Sequence, residues 1–148
     1  NNYYDDIKSI GDFIVTSTTI LTHWDACVFR IYNKEKDCLQ IISSFWTSHN
    51  WEWKKNIKYT NSLTEKALKN NKNLKILDIS KESLYSSISL AKKNNFSSLL
   101  LIPLKSKWQI IWSLSIYTKP DKKLNILEND FIEKYAKVIE LVVSNFEK

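Results

Sequence analysis

Along the first quarter of the chain, apolar residues fall at Ile7, Ile10, Ile14 and Leu21 with polar residues between them. That is the spacing of one helix face, and it predicts an amphipathic helix over residues 4–23. Asp5, Asp6 and Asp12 sit toward its start, where the helix dipole favours negative charge. The pattern then shortens to an alternation. DACVFRIY (25–32) and CLQIISSF (38–45) read as strands, and the polar NKEKD between them makes the pair a hairpin. Residues 46–61, carrying the aromatic cluster WTSHNWEW, read as a loop. SLTEKALKNN reads as a short helix beginning after Asn61 or Ser62, with Ser62 and Glu65 at capping-box spacing. KILDI (75–79) is a short strand, and residues 80–95 form a loop and then a helix with Leu84, Ile88 and Leu90 or Ala91 facing inward. SSLLLIPLK and QIIWSLSIYT make a second hairpin, and KPDKK is a turn. The clearest helix spans 127–148, with a broad stripe of Phe131, Ile132, Tyr135, Val138, Ile139, Val142, Val143 and Phe146. Asn125 with Glu128 is placed to cap its start.

Two hairpins and one short strand predict a mostly antiparallel sheet of five to six strands. The N- and C-terminal helices would pack on one face, with the middle helices and loops on the other. The expected fold class is α+β, a three-layer α/β/α domain. At 148 residues, one domain over 1–148 is expected.

Composition narrows the function. Apolar residues make up 43% and charged residues 26%, as in ordinary globular proteins. No apolar run approaches the ~20 residues that span a bilayer, and NNYYDDIKSIG lacks the basic and apolar regions of a signal peptide. With no Met anywhere, the chain reads as a piece of a longer protein or a processed product. The net charge of +6 comes from Lys and a single arginine, Arg30. The lysines are scattered and often lie beside Asn, as in KNNKNLK and AKKNN. This predicts a solvated surface rather than a nucleic-acid site, which would concentrate charge on one face. Cys27 and Cys38 lie in strand segments with no CxxC spacing, so they read as small buried hydrophobes that could face each other across a hairpin. A reducing, cytoplasmic location fits them.

Taken in order, WDACVFRIY, CLQIISSFW, SLTEKALKNNKNLKILDIS, SSLLLIPLKSKWQIIWSLSIYT and ILENDFIEKYAKVIELVVSNF resemble a GAF domain over nearly the whole chain. Pro103, Leu104 and Leu114 match the family's strand–turn–strand run. The resemblance implies a small-molecule sensory module without catalytic residues, in a larger signalling protein. It also implies a homodimer through the terminal helices and an output domain, such as a kinase or cyclase, in cis. Two other roles remain open: a ligand-free dimerisation spacer, and an enzyme of the free methionine sulfoxide reductase type using Cys27 or Cys38. The segment SKESLYSSISLAKKNN has neither the Cys nor the His with which relatives of this fold anchor a bilin, and the cyclic-nucleotide signature is absent. The resemblance names no cofactor.

The departures concern tryptophan. The chain has six Trp and one Gly. Trp108 and Trp112 stand where the family usually has Gly in the second hairpin, and Trp46 where Gly often follows the second strand. Some bacterial lineages read UGA as glycine where other code tables read tryptophan, and decoding by the wrong table would write glycines as Trp. Trp and Gly together make up about 5% of the chain, near the ~7% typical of Gly alone. On that reading Trp108 occupies a positive-φ turn position and Trp112 a crowded strand position, at a cost in stability. The other reading is that the tryptophans fill a pocket or a partner surface.

Strand alternation sorts the faces. Cys27, Phe29 and Ile31, with Ile110, Trp112, Leu114 and Ile116, form apolar sides that should meet the terminal helices. The opposite sides carry Arg30, Tyr32, Ser113, Ser115 and Tyr117, the few polar groups that a ligand pocket needs in an apolar wall. Arg30 suits an anionic ligand group, held bidentately, or a structural ion pair. His23 reads as a cation at a helix end. His49 lies in the Trp-rich loop, and neither histidine has partners in the sequence that would make a metal or haem site.

Overall fold

The computed structural model describes residues 2–46, 56–85, 96–119 and 126–146. The elements are α1 (Asn2–Thr22), β1 (Ala26–Asn33), β2 (Cys38–Trp46), β3 (Asn56–Lys58), α2 (Leu63–Lys69), β4 (Leu74–Ile76), a 3-10 turn (Ile79–Lys81), β5 (Ser98–Lys105), β6 (Ile111–Thr118) and α3 (Ile126–Phe146). The six strands form one sheet in the order β3-β2-β1-β6-β5-β4, with every neighbouring pair antiparallel. The expected α+β architecture holds. α1 and α3 cover one face of the sheet, and α2 packs on the other.

On the first face, Ile7, Ile14 and Val15 of α1 and Ile132, Ala136, Ile139 and Val143 of α3 bury against Cys27, Phe29, Ile102, Trp112, Leu114 and Ile116. The only glycine sets the closeness of α1. A Cβ on Gly11 would meet Ser43 Oγ at 2.6 Å and Ile42 Cγ2 at 2.8 Å, so helix and strand touch backbone to side chain there. The buried stripe of α1 then runs through threonines instead of Leu21, which is 53% exposed, contrary to expectation. Thr18, Thr19 and Thr22 are buried because their hydroxyls donate to the carbonyls of Ile14, Val15 and Thr18, one turn back. Thr18 Oγ1 also lies 3.1 Å from the Tyr135 hydroxyl, a hydrogen bond joining α1 to α3. His23 follows α1 with φ of 57°, the left-handed conformation that ends helices.

On the second face, Leu63 and Ala67 of α2 pack with Ile79 and Phe96 onto Ala26, Val28, Leu99, Leu101 and Tyr117. Ser62 caps α2 as its spacing indicates, its hydroxyl accepting from Glu65 N at 3.2 Å, while the Glu65 carboxylate accepts from Asn61 N at 3.1 Å. The strand expected over 75–79 is shorter and earlier. Asp78 Oδ1 accepts from Ser80 N at 3.0 Å and draws the backbone out of the ladder into the 3-10 turn. The loop expected over 46–61 contains β3, which pairs with Cys38–Gln40 at the sheet edge. Leu84, expected to face inward, is 38% exposed, and the half-buried neighbour that reaches the sheet is Tyr85. The capping pair Asn125–Glu128, the inward Ile88, Leu90 and Ala91, His49, and Trp51 and Trp53 lie outside the residues whose side chains are described.

The tryptophans have distinct settings. Trp112 is 1% exposed and stacks on Phe29 with ring centroids 5.1 Å apart. Trp108 is 53% exposed in the turn, and the positive-φ residue of that turn is its neighbour Gln109, with φ of 66°. The expectation of a left-handed backbone at Trp108 is therefore overturned. Ser106 closes the turn, accepting from Gln109 N through its carbonyl and from Ile110 N through its hydroxyl.

Candidate functional site

The pairing of β1 with β6 sets Arg30 opposite Ser113, Val28 opposite Ser115 and Ala26 opposite Tyr117. Alternation turns Arg30, Ser113, Ser115 and Tyr117 to the α2 face, beside Leu99 and Leu101 of β5. Ser62, Leu63 and Thr64 at the start of α2 approach from above, Leu39 and Ile57 close one side, and Leu84 and Tyr85 close another. Together they line a half-open cavity of about 40 Å³. Its described lining carries one cation, six hydroxyls and no carboxylate.

Arg30 is 4% exposed, and its Nη1 donates to the Leu39 carbonyl at 3.4 Å. Burial pulls its pKa down, while nearby Tyr117 and Tyr85 act the other way. A guanidinium nevertheless remains protonated in proteins. Tyr85 and Tyr117 share a hydrogen bond at 2.9 Å, with their rings edge to face at 6.3 Å. Burial raises both phenols above the usual tyrosine value, Tyr85 far above it, so both are neutral hydroxyls at physiological pH. Phe96 also stacks on Tyr117, with ring centroids 5.1 Å apart.

Tyr32 is the sequence-derived candidate that the fold places elsewhere. The β1–β6 pairing ends at Ile31 opposite Trp112, so Tyr32 lies beyond that pairing, toward the hairpin tip. There its hydroxyl bonds to Asp37 Oδ1 at 3.3 Å, and its ring packs on Tyr59 with centroids 4.3 Å apart. Tyr85, Ser62 and Thr64 are lining groups that pattern reading missed. The Ser62–Glu65 cap signal located the start of α2 but not the face that it meets.

The cysteines do not belong to this cavity. Both are free and buried; Cys27 packs in the core under α1 and α3, on the opposite sheet face, and burial raises its thiol pKa well above the ordinary value. Cys27 pairs with Phe45 and Cys38 with Asn33, so the two do not face each other across the hairpin. Among the described residues, no group of His, Cys, Asp and Glu is arranged to hold a metal, and no helix is long and apolar enough to cross a membrane. A larger groove of about 930 Å³ follows the β4–β5 edge beside α3. Its charged walls are mostly exposed lysines, including Lys72, Lys75 and Lys137, whereas the smaller cavity carries the buried Arg30 among hydroxyls, so the smaller cavity is the stronger site.

No protein-family model and no curated protein sequence matches the chain. Solved structures do. The GAF domain of a two-component sensor histidine kinase from Bacillus halodurans is 22% identical, with a TM-score of 0.71, covering 97% of this chain and 95% of that one. The GAF domain/HD domain protein from Geobacter sulfurreducens is 13% identical, with a TM-score of 0.80 and the same coverage. The blue-light absorbing form of the Thermosynechococcus elongatus PixJ GAF domain is 15% identical, with a TM-score of 0.77, covering 98% and 89%. The six-stranded antiparallel sheet, its terminal helices on one face and its cavity on the other thus form the fold of a GAF domain.

Proposed function

We propose that the chain is a non-catalytic sensory module of a cytoplasmic signalling protein. A small molecule binds between the sheet and Tyr85, and α1 and α3 carry the change to an output domain such as a kinase or cyclase. The observation that supports this best is the buried Arg30, set among hydroxyls in a cavity bordered by the Tyr85–Tyr117 hydrogen bond. Ligand binding would act by favouring one arrangement of the terminal helices over another. The use of similar domains in a sensor kinase and a photoreceptor is in keeping with this role.

Transmission would run through a homodimer. Phe13, Ile20 and Leu21 of α1 and Val138 and Leu141 of α3 are all more than half exposed, an apolar surface of the kind a partner covers. The role as a ligand-free spacer draws on the same surface. One pair of measurements separates the two. Saturable stabilisation by a small molecule, with backbone amide shifts at Ser113 and Ser115, is expected for a sensor. No such shift across a broad small-molecule library, with a dimer in sedimentation that Leu141→Lys dissociates, would leave the spacer role.

A further inference from the structure

We propose that the groove beside α3 docks an acidic amphipathic helix of a partner protein, its apolar stripe on Leu68, Pro103 and Ile111 and its carboxylates on Lys72, Lys75 and Lys137. The docking is independent of what the smaller cavity binds.

Lysines far apart in the sequence meet here. The groove runs from the C-terminal end of α2, at Leu68 and Lys69, across Pro103 and Lys105 of β5 to Ile132 and Lys137 of α3. Lys75 pairs opposite Leu100, so its side chain stands on the α3 side of the sheet, at the edge. Lys72, Lys75, Lys105 and Lys137 are exposed, and none forms an ion pair with a described residue. Lys69 has only a loose contact to Glu65, at 3.7 Å. Between the lysines the floor is apolar, with Leu68, Pro103 and Ile111 half-buried. Ammonium groups around an apolar floor complement a helix whose apolar stripe is flanked by carboxylates.

The backbone around the groove selects a helix over a strand. β4 reaches β5 only as far as Leu101, so the edge beyond is uncovered. Yet Pro103 has no N–H to give, and Glu140 Oε2 takes that of Lys105 at 2.9 Å. A strand laid there would find no ladder, whereas a helix satisfies its own backbone and docks by side chains. Glu133, Lys137 and Glu140 line the groove at i, i+4 and i+7, so α3 follows it for about two turns, ~10 Å. A phosphate backbone suits it less. Glu133 shares the α3 wall with Lys137, and the chain's only arginine, the side chain best shaped for phosphate, is Arg30 in the smaller cavity.

The test titrates the purified chain with a synthetic helical peptide of alanine, glutamate and leucine, the leucines at three- and four-residue spacing. The same peptide with glutamine for glutamate, and oligothymidylate, are the controls. Backbone amide shifts at Lys72, Lys75 and Lys137 are read at low and high salt. The glutamate peptide should shift all three and bind less tightly as salt rises, and the glutamine peptide should leave them in place. Lys72→Glu with Lys75→Glu should weaken binding by about tenfold or more. Lys34→Glu with Lys36→Glu makes the same charge change at the exposed β1–β2 turn and should alter it by about twofold or less. Binding should also survive Leu141→Lys on the outer face of α3. Equal binding of the glutamine peptide would make the groove a purely apolar contact. Equal weakening by the two lysine pairs would leave only a general attraction to a cationic chain. Tighter binding of oligothymidylate with the same shifts would assign the groove to nucleic acid, and loss of binding with Leu141→Lys would assign the peptide to the terminal helices. Each of these overturns the proposal, as does the absence of any shift at the groove.

Discussion

Trp112 lies nearly parallel to Phe29, 8° between ring planes, and the pair fills the centre of the sheet beneath α1 and α3. The indole thus has a built place in the core, at a position where the resemblance led to an expectation of glycine. Among the described residues Trp112 is the largest fully buried side chain, and Trp112→Gly should cost about 3–5 kcal/mol. Trp108→Gly, at an exposed turn residue, should change stability by about 0.5 kcal/mol or less. Thermal or denaturant melts of the two variants read this directly. A higher melting temperature for Trp112→Gly would instead mark glycine as the residue the core was built for, and so support UGA decoding.

Gly11 sits mid-helix, where alanine would ordinarily add about 1 kcal/mol of helix stability. Here the opposite sign is expected. The added Cβ meets Ser43 Oγ and Ile42 Cγ2 inside ordinary contact distance, so α1 must lift from β2, at about 1–3 kcal/mol. The cause can be isolated. Ser43→Ala removes the nearest atom, and the Gly11→Ala cost should shrink in that background; an unchanged cost would place the strain elsewhere.

The strands were legible because each side of the sheet is dry in a different way. Cys27, Phe29, Trp112, Leu114 and Ile116 alternate cleanly with Val28, Arg30, Ser113 and Ser115, and a period of two is unambiguous in β1 and β6. That alternation alone brings Arg30, Ser113, Ser115 and Tyr117 to one face. It could not say where the β1–β6 pairing ends, and so it did not separate Tyr32 from the other four. The inner face of α1 was obscured for another. Thr18 and Thr22 satisfy their own hydroxyls on the helix, so polar residues occupy buried positions while Leu21 points outward. Tyr85 was missed because the apolar spacing of its segment points to its neighbour Leu84 instead.

Asp37 links the β1–β2 turn to the segment before α2. Its carboxylate accepts from Thr60 N at 3.4 Å and from Tyr32 Oη at 3.3 Å, and its carbonyl accepts from Tyr59 N at 3.0 Å. Hydrogen bonding from Thr60 above all holds the carboxyl below its ordinary 3.8, against a smaller effect of desolvation. Because the folded value is the lower one, ionised Asp37 stabilises the fold. The contribution is complete above the unfolded pKa and is lost as pH falls through the folded value. The stability gap between the wild type and Asp37→Asn should therefore be constant above about pH 5 and close below about pH 4. Urea midpoints across that range check it, and a gap that ignores pH would remove Asp37 from the acid response.

Glu140 of α3 reaches the open side of β5, where its Oε2 accepts from Lys105 N at 2.9 Å. β4 pairs with β5 only as far as Leu74 opposite Leu101, so Ile102–Lys105 would otherwise be a bare strand edge. Lys105 directs its N–H outward to Glu140, and two residues earlier Pro103 faces the same edge with no N–H to give. One outward donor is absent and the other is capped, which denies a second chain its ladder. Ser144 extends the cap by accepting from Lys107 N at 2.8 Å. Glu140→Ala should cost about 1 kcal/mol, the worth of one partly exposed hydrogen bond. Pro103→Val together with Glu140→Ala restores both donors, and this double variant should self-associate with rising concentration in sedimentation. The effect must persist in a Leu141→Lys background, because edge pairing through β5 does not use the exposed apolar face of the terminal helices. Association that disappears with Leu141→Lys would assign it to the helices and leave the β5 edge closed for some other reason.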